Sequence, residues 1–184
     1  MKPDQRFMKT FHDYINVNLT GESLETIVVK YQEFLVQQFA EFETIGDDWV
    51  DVADLSVFIR DEIMAAALTS IFGPHFLRLN PNFIEDFWPF THSVGELFLG
   101  MPRWLRPSIY ARRDRMVKGI ERWHRYAIEN YKAAGGKGTA GSGEEAWEPF
   151  FGSKFSRKRH GLFDDWECMD ARAKASEDMA FIWA

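Results

Sequence analysis

The chain has 184 residues, of which 46% are hydrophobic, 16% aromatic and 27% charged, with a formal net charge of -6. Hydrophobicity this high at so modest a net charge excludes a disordered chain and calls for one packed core. Cys168 is the sole cysteine, which excludes an internal disulfide and a cysteine-built zinc cluster. The first residues lack the apolar stretch of a signal peptide and no run of about 18 apolar residues occurs, so neither a secretory leader nor a membrane span is expected from these residues. A pI near 5.4 argues against nucleic acid as a general partner. Charge is nevertheless uneven: eleven acids face two basic residues between Glu22 and Glu62, whereas Arg103 to Arg125 carries eight basic residues against Asp114 and Glu121.

Apolar residues recur at steps of three and four throughout, which predicts an all-α chain. A first helix is expected over about Asp4 to Asn18, with Phe7, Met8, Phe11 and Ile15 on one face. Thr20 reads as the N-cap of a second, whose buried stripe would be Leu24, Ile27, Val28, Tyr31, Leu35, Phe39 and Phe42. A third starts near Asp51 or Asp54 and stops at Gly73-Pro74, because glycine accepts positive φ and proline cannot extend the hydrogen-bond ladder. Asn80-Pro81 supplies the next start signal, Asn80 as cap, for a helix that Pro89 should kink. Prolines at both ends keep Gly100 to Pro107 out of regular helix, and a long helix follows from Ser108 to Ala134, burying Tyr110, Val117, Ile120, Ala127, Tyr131 and one of Trp123 or His124. The glycine-rich stretch marks a flexible loop over about 135–152, with no Lys-Ser or Lys-Thr at the offset a phosphate-binding loop requires and no strand before it. The last helix, Asp170 to Ala184, grows more apolar to its end with no closing residue, the pattern of a shortened chain.

Chemistry-bearing patterns are few. Glu121-Arg122-Trp123-His124 matches one Glu-x-x-His element of a di-iron bundle, but the site needs a second copy, so no metal site is expected; a surface Glu beside a partly buried His is the reading. Around Cys168 the acids Asp164, Asp165, Glu167 and Asp170 would raise a thiol pKa, which makes it structural or incidental and not a nucleophile. Lys154, Arg157, Lys158, Arg159 and His160 read as a solvated helix face rather than a phosphate site. The segment Leu97 to Arg106 leaves two readings open. Leu97, Phe98, Leu99, Met101, Trp104 and Leu105 alternate with Arg103 and Arg106, which suits either a lipid interface, with Trp and Arg at headgroup level, or a buried interhelical loop.

Several segments, in order and spacing, resemble a known family. Phe72-Gly73-Pro74-His75, Leu77 to Pro81, Glu85-Asp86-Phe87-Trp88, Pro102 to Pro107 with Tyr110, Arg113 and Met116, Arg122 to Tyr126, and Asp178 to Ala184 are similar to the central helices of fungal cytochrome P-450 monooxygenases. The resemblance runs from about Phe7 to the last residue and implies a truncated central portion of that all-α fold, one partial domain over 1–184. It implies helices C and D for the first two helices, E for the third, F for Asn80 to Leu99, G for Ser108 to Ala134 and the start of I from Asp170. Because F and G roof the substrate pocket in that family, Phe87, Phe90, Phe98 and Trp183 are implied pocket residues. Leu99, Met101, Trp104 and Leu105 are implied membrane-contact residues.

For a complete member the resemblance implies haem b on a cysteine thiolate, an NADPH-dependent reductase as partner, an apolar small-molecule substrate and the endoplasmic reticulum membrane. The departures are equally specific. In the family's Phe-x-x-Gly-x-x-x-Cys-x-Gly pattern, Gly161, Asp164 and Asp170 stand at the three positions around Cys168, so Cys168 is not the haem ligand; a Glu-x-x-Arg motif is absent. No catalytic and no metal-binding residue is therefore assigned, and the chain is expected to be inactive alone. The competing expectation is a self-contained helical protein that binds an apolar ligand or partner without chemistry.

Overall fold

The computed structural model describes residues 7–41, 49–136, 145–164 and 169–183, with side chains from residue 9. Eight α-helices dominate these residues: α1 Phe7–Asn18, α2 Gly21–Glu41, α3 Leu55–Phe72, α4 Pro74–Leu79, α5 Phe83–Phe98, α6 Pro107–Ala133, α7 Lys154–Asp164 and α8 Ala171–Trp183. A two-residue antiparallel pair, β1 Trp147–Glu148 with β2 Gly152–Ser153, lies between α6 and α7. The all-α expectation holds. The flexible loop expected over about 135–152 does not reach its far end: residues 147–153 form this hairpin, and Phe151 within it is fully buried. Residues 137–144 lie outside the described residues.

Local chemistry explains most boundaries. Asp54 has extended backbone and accepts hydrogen bonds from the Ser56 and Val57 amides, satisfying donors that α3 leaves open at its start. The hydrogen bonds from Ser56 and those amides hold its carboxyl below the usual aspartate range. At the other end Gly73, at φ 81°, donates to Thr69 O and turns the chain directly into α4, with Pro74 at its first position. Proline there opens a new helix, so the expected stop is a corner.

Two start signals and one buried stripe work differently from the sequence expectation. Asn80 does not cap α5; it is buried, and its amide donates to Phe76 O at 2.9 Å, closing α4, while Asn82 precedes α5. Thr20 donates to Asn16 O, finishing α1. Along α2 only Ile27 of the expected stripe is buried, and Leu24, Val28 and Phe39 remain exposed, because α2 packs mainly on α3, with the small β1–β2 hairpin touching it elsewhere. Phe42 lies outside the described residues.

The core gathers around α6, which packs against α4, α5 and α8. Trp123 stands edge-on to Phe72 and to Phe76, each at 5.4 Å between ring centres, and Phe72 and Phe76 stack at 5.2 Å. Such pairs contribute about 0.5–1.5 kcal/mol each beyond the area they bury. Both Trp123 and His124 are buried, where one had been expected; Tyr110 is only half-buried and donates its hydroxyl to Met101 O at 2.6 Å.

The hairpin is stitched to the end of α3. Trp147 Nε1 donates to Ser70 O at 2.8 Å and Ser153 Oγ to Ile71 O at 2.9 Å, while Trp123 Nε1 donates to Phe150 O at 3.0 Å. Gly152, at φ 75°, passes so close that a Cβ would sit 2.3 Å from Gly73 N. The buried Glu148 carboxylate accepts from the Phe150 and Phe151 amides, both at 2.8 Å, and burial still leaves its pKa raised.

Candidate functional site

The C-terminal half of α5, the first turns of α6 and the face of α8 enclose a cleft of about 330 Å³. Phe90, Val94, Phe98, Val117, Met179, Ala180 and Trp183 supply apolar walls, and Arg113, Arg172 and Ser176 a polar end. Phe98 and Trp183 meet across it at 5.8 Å between ring centres, both open to solvent on one side. Three of the four residues implied as pocket residues therefore converge. Phe87 does not line this cleft; it is buried in the core, its ring 6.2 Å from Phe83 and 5.2 Å from Trp88.

The segment after Phe98 is a surface loop, which removes the reading of a buried connection. Leu99 is 83%, Trp104 80% and Leu105 51% exposed, whereas Met101 is partly buried. A turn closes it through Leu105 N to Pro102 O, and its arginines are engaged sideways: Arg106 forks onto Glu96 at 2.5 and 2.8 Å, and Arg103 donates to Asp114 at 2.7 Å. Apolar side chains are thereby left outward with charged ones in a ring around them. Among the described residues no helix is long and apolar enough to cross a membrane.

A buried polar network joins α6, α7 and α8, and sequence reasoning missed it. His124 Nε2 lies 2.6 Å from Asp178 Oδ2, and Arg159 donates from Nε to Asp178 Oδ1 at 2.6 Å and from Nη2 to Glu177 O at 2.6 Å. Arg159 is fully enclosed, its guanidinium over the rings of Phe11, Phe163 and Phe181. Arg157 and His160 are buried too, so the basic run of α7 is no solvated face. A buried guanidinium is tolerable only with a paired carboxylate, and Asp178 is that partner. Burial alone would raise the Asp178 pKa; Arg159 and the His124 hydrogen bond outweigh it and hold the carboxyl below its usual range. The Tyr14 hydroxyl, donating to Phe155 O at 2.5 Å, is pushed well up by burial.

His160 sits 4.6 Å from His124 between ring centres, and burial, assisted by repulsion from His124, pushes its imidazole down to about 4. A base depressed in the fold is protonated first in the unfolded chain, so stability is lost as pH falls from 6.5 toward 4. Unfolding at pH 5 is expected to take up about 0.6 proton more through this imidazole than at pH 7, a difference that His160→Gln removes in calorimetric scans run in parallel. Asp178, whose pKa is lowered, loses its contribution only below about pH 4. Glu148, whose pKa is raised, acts in the opposite sense by shedding a penalty as it protonates.

Among the described residues no group of three side chains could hold a metal ion. His124 faces Asp178 rather than a second histidine-glutamate pair and is fully buried, not partly buried as expected. Cys168 lies outside the described residues.

The chain is 34% identical over 175 residues to the cytochrome P-450 monooxygenase fsoE of Humicola fuscoatra, covering 94% of this chain and 29% of that protein. It is 31% identical over 182 residues to the cytochrome P-450 monooxygenase efuG of Hormonema carpetanum, covering 98% of this chain and 31% of that protein. A third relative, the cytochrome P-450 monooxygenase calL of Penicillium decumbens, is 31% identical over 111 residues, 60% of this chain and 20% of that protein. No protein-family profile and no solved structure matches. Similarity along nearly the whole chain, together with the all-helical fold, places it in the cytochrome P-450 monooxygenase family, of whose first two relatives it spans 29% and 31%.

Proposed function

We propose that α5, α6 and α8 form the substrate-facing roof of a haem-dependent monooxygenase acting on an apolar small molecule. The convergence of Phe90, Phe98 and Trp183 on one apolar cleft carries this reading, because exposed aromatic walls facing each other across an open space hold a greasy guest rather than fill a core. The complete protein would take electrons from an NADPH-dependent reductase and reside at the endoplasmic reticulum membrane. Haem is the family's oxygen-activating group. The donor set present does not fit it: the pattern around Cys168 lacks the haem-ligand glycines, and the described residues offer no ligand cluster. No catalytic step is assigned to this chain.

Two measurements test the reading. With haemin, reductant and carbon monoxide, the 184-residue chain is expected to give no thiolate-type absorption band; such a band would refute the claim that the ligand is missing. In equilibrium dialysis with naphthalene, Phe98→Ala and Trp183→Ala are each expected to weaken binding about fivefold. Phe98→Ala, three-quarters exposed, should shift stability by no more than about 0.5 kcal/mol. Unchanged binding in both variants would refute the cleft.

The loop of Leu99, Met101, Trp104 and Leu105 is proposed to rest at a lipid interface. Burying an apolar side chain of this size contributes about 1.5–3 kcal/mol. Trp104→Ala is therefore expected to lower partitioning onto phosphatidylcholine vesicles about tenfold in sedimentation assays, and equal partitioning would refute the contact.

A further inference from the structure

Resting on the reading of the cleft as a substrate site, we infer that its guest carries an acidic group at one end, held by Arg113 and Arg172. Both arginines line the cleft together with its aromatic residues, and none of the residues lining it is a carboxylate. Among the described residues their counter-charge is Asp114, which is already shared. Arg103 and Arg172 each donate to it at 2.7 Å, leaving Arg113 with a 3.5 Å contact at the limit of a hydrogen bond. Three guanidinium groups share this one carboxylate, an excess of two positive charges in the cluster, and two of the three, Arg113 and Arg172, line the cleft. Arg113 is held in place over the Tyr110 ring, 5.2 Å from its centre, so its planar fork is oriented while most of its five donors stay available.

Geometry favours an anion over a neutral polar group. The Arg113 and Arg172 side chains are 37% and 48% exposed, so their charges are hydrated, and a neutral hydroxyl or amide offers little that water does not. A carboxylate pairs with the fork bidentately and neutralises part of the excess, an interaction roughly twice as strong as a neutral one. Phe98 and Trp183 would meanwhile cover the apolar body, which makes the fitting guest an apolar carboxylic acid.

Calorimetric titration of the 184-residue chain with 1-naphthaleneacetate and with 1-naphthaleneacetamide, which differ only in charge at the polar end, tests this. The acid is expected to bind about tenfold more tightly than the amide at low salt, a preference that added salt erodes. Arg113→Gln should abolish the preference, and Arg172→Gln should reduce it. Ala180→Trp, which fills the cleft from an exposed position on α8, should abolish binding of both probes. Circular dichroism confirms that each variant folds.

Equal affinities for the two probes, both lost in Ala180→Trp, would overturn the acidic guest and leave the apolar cleft standing. An acid preference that persists in Arg113→Gln, or survives Ala180→Trp, would overturn it by locating the anion elsewhere. Binding of neither probe would overturn the cleft reading as well.

Discussion

Asp178→Ala is expected to destabilise the fold by about 3–5 kcal/mol, read from denaturant unfolding at pH 7. The carboxylate is buried between Arg159 and His124, and removing it leaves a guanidinium inside the protein with no opposite charge. Burying a pair of charges is not in itself strongly favourable, since desolvation consumes most of the attraction; breaking the pair is the expensive act. Two further variants separate these statements. Asp178→Asn keeps shape and one hydrogen bond but loses the charge, and should fall between wild type and alanine. Arg159→Met combined with Asp178→Leu removes both charges at similar volume and should recover part of the loss. A loss below about 1 kcal/mol for Asp178→Ala would show that the network contributes little.

Gly152→Ala is expected to lower stability by about 2–4 kcal/mol. Positive φ for a residue with a Cβ costs about 1–2 kcal/mol, and here the added methyl would also lie 2.3 Å from Gly73 N and 2.6 Å from Ile71 O, atoms of a rigid backbone. Gly100→Ala isolates the first effect. Gly100 has φ 71° and open space around it, so only about 1 kcal/mol is expected. Equal midpoint shifts in the two variants would mean that the hairpin yields easily and that its close packing against α3 carries no weight.

Helices were legible in the sequence where a local signal determines the outcome. Asp54 bonds amides two and three residues ahead, and Gly73 relies on its own conformational freedom, so neither needs a distant partner. Arg157 and Arg159 show the opposite case. A run of basic residues looks solvated because burial of such groups is ordinarily unfavourable, and the carboxylate that reverses the balance for Arg159 lies 19 residues away on another helix. Asn80 misleads for a related reason: followed by proline it has the form of a cap, yet its side chain reaches back to Phe76 and across to Arg122 on α6, which donates to it at 3.0 Å. In the cleft, the aromatic residues were visible as a composition, and the separation of Phe87 from Phe90 and Phe98 was not. That separation depends on which flank of α5 faces α6, and α5 is apolar on more than one side. The α2 stripe fails similarly, because periodicity reports what a helix could bury and not whether a neighbour is present to cover it.

The fastening of the hairpin to α3 also bears on how the chain folds. The last carbonyls of that helix, at Ser70 and Ile71, find their donors on Trp147 and Ser153, separations of 77 and 82 residues. Closing so wide a loop costs entropy that winding a helical turn does not, so these two carbonyls are expected to gain their partners later in folding than α3 itself forms.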